Sequence, residues 1–79
     1  MQRFHTHVSY DNEYAQDVEG ERFDDLEAAC ECARQSARRL VAQLIGAGHN
    51  LIRLEYRIHD EAGAHLATVP VHATVSGLG

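Results

Sequence analysis

Two histidines one residue apart are the sharpest chemical signal in the chain. His5 and His7 flank Thr6 in a segment of alternating polarity. On a strand, residues i and i+2 project to the same side about 7 Å apart, from a rise of about 3.4 Å per residue. Imidazoles at that separation can converge on one metal ion, and zinc or nickel suits nitrogen ligands. A stable site needs a third and usually a fourth ligand. His59, His65, His72 and Cys32 are the available donors, and none sits at a spacing that forces convergence. The plainer alternative is a polar strand surface that takes up zinc or nickel weakly or adventitiously. No resident cofactor is implied.

The other reactive residue types form no catalytic set. Cys30 and Cys32 would point about 200° apart on a helix, at roughly 100° per residue, so they cannot bridge. Both read as reduced thiols, which suits a cytoplasmic location. Cys30 falls on an apolar stripe as a small core residue. Arg34, Arg38 and Arg39, and separately Arg53 and Arg57, are candidates for binding phosphate or carboxylate. The two groups are expected on opposite sides of the molecule, diluted by Glu27, Glu31 and Glu55, which makes a solvated, salt-bridged surface the simpler reading. Glu13, Asp17, Glu19 and Glu21 do not have the spacing of an EF-hand loop. There is no phosphate-cradling glycine loop and no Ser/His/Asp pattern. The chain therefore reads as non-catalytic.

The elements that must position these residues are few. Phe4, Thr6, Val8 and Tyr10 alternate with Arg3, His5, His7 and Ser9, the period of a strand with one wet side. Asp11 to Gly20 is acidic and reads as loop and turn, with Tyr14 dipping toward the core. Glu21 to Phe23 reads as a short strand. A long amphipathic helix is predicted over about 25–45, with Asp24 as N-cap and Glu27 completing a capping box. Its apolar stripe runs Leu26, Ala29, Cys30, Ala33, Ala37, Leu40, Val41, Leu44. The small middle of that stripe predicts close approach to a flat surface. Acidic Glu27 and Glu31 come early, and Arg34, Arg38 and Arg39 come late, in the sense of the macrodipole. Gly46 and Gly48 supply the stop. Leu51 to His59 alternates again, with Arg53, Glu55, Arg57 and His59 on the wet side. Asp60-Glu61-Ala62-Gly63 is a hairpin turn, and His65 to Val71 the returning strand. Pro70, lacking an N–H, belongs on an edge or at a strand's end. Residues 72–79 read as a loosely held tail.

The resulting fold is α+β. An antiparallel sheet carries one long helix on one face, in β-β-α-β-β order, as a single domain over residues 1–79. The uncovered face bears Arg3, His5, His7, Arg53, Glu55 and Arg57, the candidate interaction surface. A chain of 79 residues buries only about 60% of its unfolded surface, so a partner subunit is expected and a homodimer is the simplest form. The net charge is −5, and all 7 cations are arginine. Such a balance argues against nucleic acid, which needs a clustered positive field. Protonating the 6 histidines would more than cancel that charge, so colloidal stability should fall near pH 6. No apolar run suggests a signal peptide or a membrane span.

Several motifs together resemble a family of short bacterial proteins described only as a domain of unknown function. They are Asp17-Val18-Glu19-Gly20, Asp25-Leu26-Glu27-Ala28-Ala29, Ser36-Ala37-Arg38-Arg39-Leu40, Asp60-Glu61-Ala62-Gly63 and Thr68-Val69-Pro70. The resemblance covers nearly the whole chain. It departs in the first strand, where the family has bulky apolar residues and this chain has His5 and Thr6. It implies the fold and brings no activity, cofactor or catalytic residue. Three readings follow in order: a binding or regulatory module, probed by its oligomeric state; a metal-binding protein using His5 and His7; and a nucleic-acid-binding domain.

Overall fold

A computed structural model describes residues 1–75 of the chain. Alternation sets the first strand, β1 (Gln2–Tyr10), and the turn Asp11-Asn12 reverses it into β2 (Glu13–Ala15). Asp11 takes a φ of 53°, a left-handed conformation that its short polar side chain tolerates. The chain then returns to the opposite end of β1 as β3 (Glu21–Phe23), crosses the sheet as α1 (Leu26–Gly46), and closes with the hairpin β4 (Leu51–Asp60) and β5 (His65–Thr74). All pairings are antiparallel, in the order β2-β1-β4-β5, with β3 on the same edge of β1 as β2.

The α+β architecture with one helix over one sheet face is as the sequence predicts. The acidic loop, however, contains the additional strand β2. Tyr14 on it does not enter the core but stays 57% exposed. The presumed loose tail also needs correction. Residues 72–74 extend β5, and the Val75 N–H donates to the Asn50 carbonyl, because β4 is long enough to offer partners down to Leu51. Residues 76–79 lie outside the described part.

The core is one layer deep. Phe4 from β1, Ile52, Leu54, Tyr56 and Ile58 from β4, and Val69 from β5 face Ala29, Cys30, Ala33 and Ala37 of the helix. The alanines, each at most 3% exposed, let the helix backbone approach the sheet. Leu26, Leu40, Val41 and Leu44 grip at either end, half-buried. The helix packs chiefly against β4 and β5. Its N-cap is Asp25 rather than Asp24. The Asp25 carboxylate accepts the Ala28 N–H at 2.8 Å, and position three after the cap is then Ala28, so no capping box forms. The arginines stop short of the final turn, which holds no basic residue. Past Gly46, the left-handed φ of 99° that ends the helix falls on Gly48. Cys30 and Cys32 are free thiols, the first buried, the second half-buried.

Candidate functional site

Two short strands share one edge of β1 and leave a gap between them. β3 pairs with Gln2, Arg3 and Phe4, and β2 with Val8, Ser9 and Tyr10. His5, Thr6 and His7 have no strand on that side. Asp17 fills the gap. Its Oδ2 accepts the Thr6 N–H at 3.0 Å and its Oδ1 accepts the Gly20 N–H at 2.9 Å. Its own N–H donates to His7 Nδ1 at 3.0 Å, and its carbonyl accepts from His5 Nδ1 at 2.9 Å. Arg3 donates to the Glu19 carbonyl at 2.8 Å. Gly20 closes the turn with a φ of 72°, and a Cβ there would lie 2.8 Å from the Phe4 carbonyl oxygen. The His-x-His pair thus grips the two polar ends of one residue's backbone.

These bonds fix the proton positions. A carbonyl can only accept, so His5 carries a proton on Nδ1 and, when neutral, a bare Nε2. His7 accepts at Nδ1, so its proton sits on Nε2. Burial pushes the His7 imidazole below the usual histidine range. Facing His59 and neighbouring His5 push the same way, and the Asp17 carboxylate opposes them. The geometry agrees, since a second proton on His7 would have to displace the Asp17 N–H. Partial burial disfavours the Asp17 charge. The N–H groups of Thr6 and Gly20, with His5 and His7, outweigh that and hold its carboxyl below the usual range.

The imidazole row extends beyond the pair. The rings of His5 and His7 are 6.4 Å apart, His59 stands edge-on to His7 at 4.8 Å, and His65 lies 5.4 Å from His59. A β-bulge brings His65 there. Ile58 faces Ala67, yet His59 faces His65, so Leu66 is the extra residue. Strict alternation from Ala67 would have turned His65 to the helix side, which is why sequence periodicity does not bring it to this row. Among the described residues, no group of three or more His, Cys, Asp or Glu side chains is arranged to hold a metal ion.

The six residues of the expected interaction surface do share the uncovered face, but in two halves. Arg3, His5 and His7 are tied to the loop 17–19, and His7 is only 8% exposed, contrary to its expected wet position, because that loop and Tyr14 fold over it. Arg53, Glu55 and Arg57 form the open half, beside exposed Thr68, Pro70 and His72. Arg57 Nε donates to Glu55 at 2.6 Å.

The sequence model of a domain-of-unknown-function family, DUF6894, matches residues 3–72. The chain belongs to this family. No curated protein and no solved structure matches it. The stretch matched to DUF6894 runs from β1 almost to the end of β5, so the clamp, the helix and the imidazole row all fall inside it. Within this DUF6894 domain, Asp17 is the residue that sequence reasoning undervalued. It stood as one acid among four in a loop. The signal that could have found it is the Asp-x-x-Gly spacing, a turn in which the carboxylate caps the glycine N–H. Among the described residues, no helix is long and apolar enough to cross a membrane.

Proposed function

We propose that this DUF6894 domain is a non-catalytic binding module that works as a homodimer through the open half of its sheet. The observation that carries the reading is the uncovered strip of Arg53, Glu55 and Arg57 beside Thr68, Pro70 and His72. It carries both signs of charge on neighbouring positions. A twofold axis can therefore set the Glu55 carboxylate of one copy against the Arg53 guanidinium of the other, an isologous contact. A core only one layer deep gives a second copy something to stabilise. The non-catalytic part is supported by how the titratable groups are used: His5 and His7 each commit Nδ1, and Asp17 both carboxylate oxygens, to holding the loop. Two reduced thiols suit a cytoplasmic setting. Light scattering from micromolar to millimolar protein should show a dimer that Arg53→Glu dissociates. A monomer throughout that range disposes of the dimer.

The imidazole row favours metal binding as a second reading. His5 donates Nδ1–H to a carbonyl and leaves Nε2 free, the orientation that backbone carbonyls impose on metal-bound histidines. His7, whose Nδ1 accepts a hydrogen bond, would have to give up the Asp17 N–H to join it. Calorimetric titration with zinc or nickel, repeated on His5→Ala, tests this. Affinity that is micromolar or weaker and unchanged by the substitution removes it.

A further inference from the structure

A groove of about 530 Å³ runs between α1 and the edge strand β5. Ala37 and Val41 of the helix and Val69, Val71 and Ala73 of the strand form its apolar walls and floor. The charged side chains along it are Arg34 and Arg38 on the helix wall, His72 lies at the strand edge with its side chain turned to the uncovered face, and among the described residues no carboxylate lines the groove. Glu31 pairs with Arg34 at 3.1 Å, but among the described residues Arg38 has no such partner in the groove.

The free edge of β5 can be read residue by residue. Val75 donates to the Asn50 carbonyl. Antiparallel ladders alternate, so Ala73, Val71 and Val69 also turn their backbone groups to β4, opposite Ile52, Leu54 and Tyr56. Thr68, Pro70, His72 and Thr74 turn theirs outward. Pro70 therefore leaves the inner ladder intact and removes one donor from the middle of the outer edge. We propose that this edge and groove bind an extended acidic segment of another protein, added to β5 as a further strand with its inward side chains against the apolar floor. Main-chain bonds to Thr68, His72 and Thr74 would supply affinity, and the groove would supply selectivity for alternate small apolar residues. The arginine wall selects acids at the inward-facing positions on either side of those apolar residues.

A second copy of β5 does not fit this description. The strand carries no carboxylate to meet Arg38. Symmetric pairing about its centre would also set Pro70 against Pro70 at a hydrogen-bonding position, with no N–H on either side. The proline thus discourages self-pairing and leaves an unlike strand room to bind on both sides of it.

The test uses the intact chain labelled with 15N and a capped heptapeptide whose first and last residues are aspartate, with valine at the third and fifth places and threonine between, so that valines and aspartates share the inward face. Amide shifts should move at Thr68 to Thr74 and at Ala37 and Val41. Arg38→Glu, an exposed helix position, should weaken binding about fivefold, the scale of one partly exposed charge contact. The same peptide with lysine for aspartate should not bind. Pro70→Thr restores an outward N–H and should tighten binding by about the worth of one net hydrogen bond, again roughly fivefold. The proposal is overturned by absent shifts at millimolar peptide, by equal binding of the lysine peptide, by shifts confined to the Arg53 and Arg57 face, or by an affinity that Pro70→Thr leaves unchanged.

Discussion

Asp17 concentrates more structure than any other polar residue here. Its two carboxylate oxygens and two backbone groups each hold one partner, from Thr6, Gly20, His7 and His5. The clamp needs Gly20, since an added methyl would meet both a φ of 72° and the Phe4 carbonyl oxygen at 2.8 Å. Gly20→Ala should destabilise the domain by about 2 kcal/mol, read as a fall in the urea midpoint at unchanged slope. The clamp also depends on pH. His7 has a folded pKa below its ordinary 6.5, so the folded state binds fewer protons than the unfolded one in that region. The stability it contributes is complete above 6.5 and declines as pH falls below it. Asp17, also lowered, holds its contribution above its ordinary 3.8 and loses it as pH falls through the folded value. Both slopes have the same sign, so acid weakens the fold in two stages, with His7 first. His7→Asn keeps an acceptor for the Asp17 N–H and removes the titration. Urea midpoints compared between about pH 7.5 and pH 5 should fall less steeply in that variant than in the parent.

The helix illustrates what periodicity can and cannot determine. Its stripe of Ala29, Ala33 and Ala37 is evident from spacing alone, and these residues do lie buried against β4 and β5. Replacing Ala33 by leucine should force the helix off the sheet and cost about 1–3 kcal/mol, measurable by thermal denaturation. Spacing puts its start one residue early, at Asp24, because periodicity does not separate two adjacent aspartates. Asp25 accepts the Ala28 N–H, so Asp25→Ala should cost about 1 kcal/mol while Asp24→Ala stays within a few tenths. The hairpin β4–β5 was equally evident, because Ile52, Leu54, Tyr56 and Ile58 alternate without a break. β2 was hidden, since Glu13–Ala15 is too short to show a period, although the Asp11-Asn12 turn before it is a hairpin signal. The site was half legible for related reasons. Alternation put Arg53, Glu55 and Arg57 on the uncovered face, where they lie. It could not foresee the loop that covers His7, nor the bulge at Leu66 that returns His65 to His59, because both depend on pairings between distant parts of the chain.

At the scale of the whole molecule the question is whether one layer of helix on one sheet suffices alone. The fully excluded apolar side chains are few, with Phe4, Ile52 and Ile58 the largest. Domains of this length hold only a few kcal/mol against unfolding. If two copies associate through the Arg53 and Glu55 strip, folding and association are linked, and apparent stability must rise with protein concentration. For a dimer that dissociates on unfolding, each tenfold increase adds about 1.4 kcal/mol, from mass action alone. A monomer shows no such dependence. Denaturation midpoints followed over two or more decades of concentration should therefore climb for the parent chain and flatten for Arg53→Glu. Arg53 is exposed and outside the core, so that substitution should leave the intrinsic fold of the monomer nearly unchanged. A flat parent curve would mean that the single layer is sufficient, and that the uncovered face is simply a solvated one. A climbing curve that Arg53→Glu does not flatten would move the contact elsewhere, away from the Arg53 and Glu55 strip. The free edge of β5 is a poor place for it, because Pro70 interrupts the row of donors that a symmetric strand pairing would need.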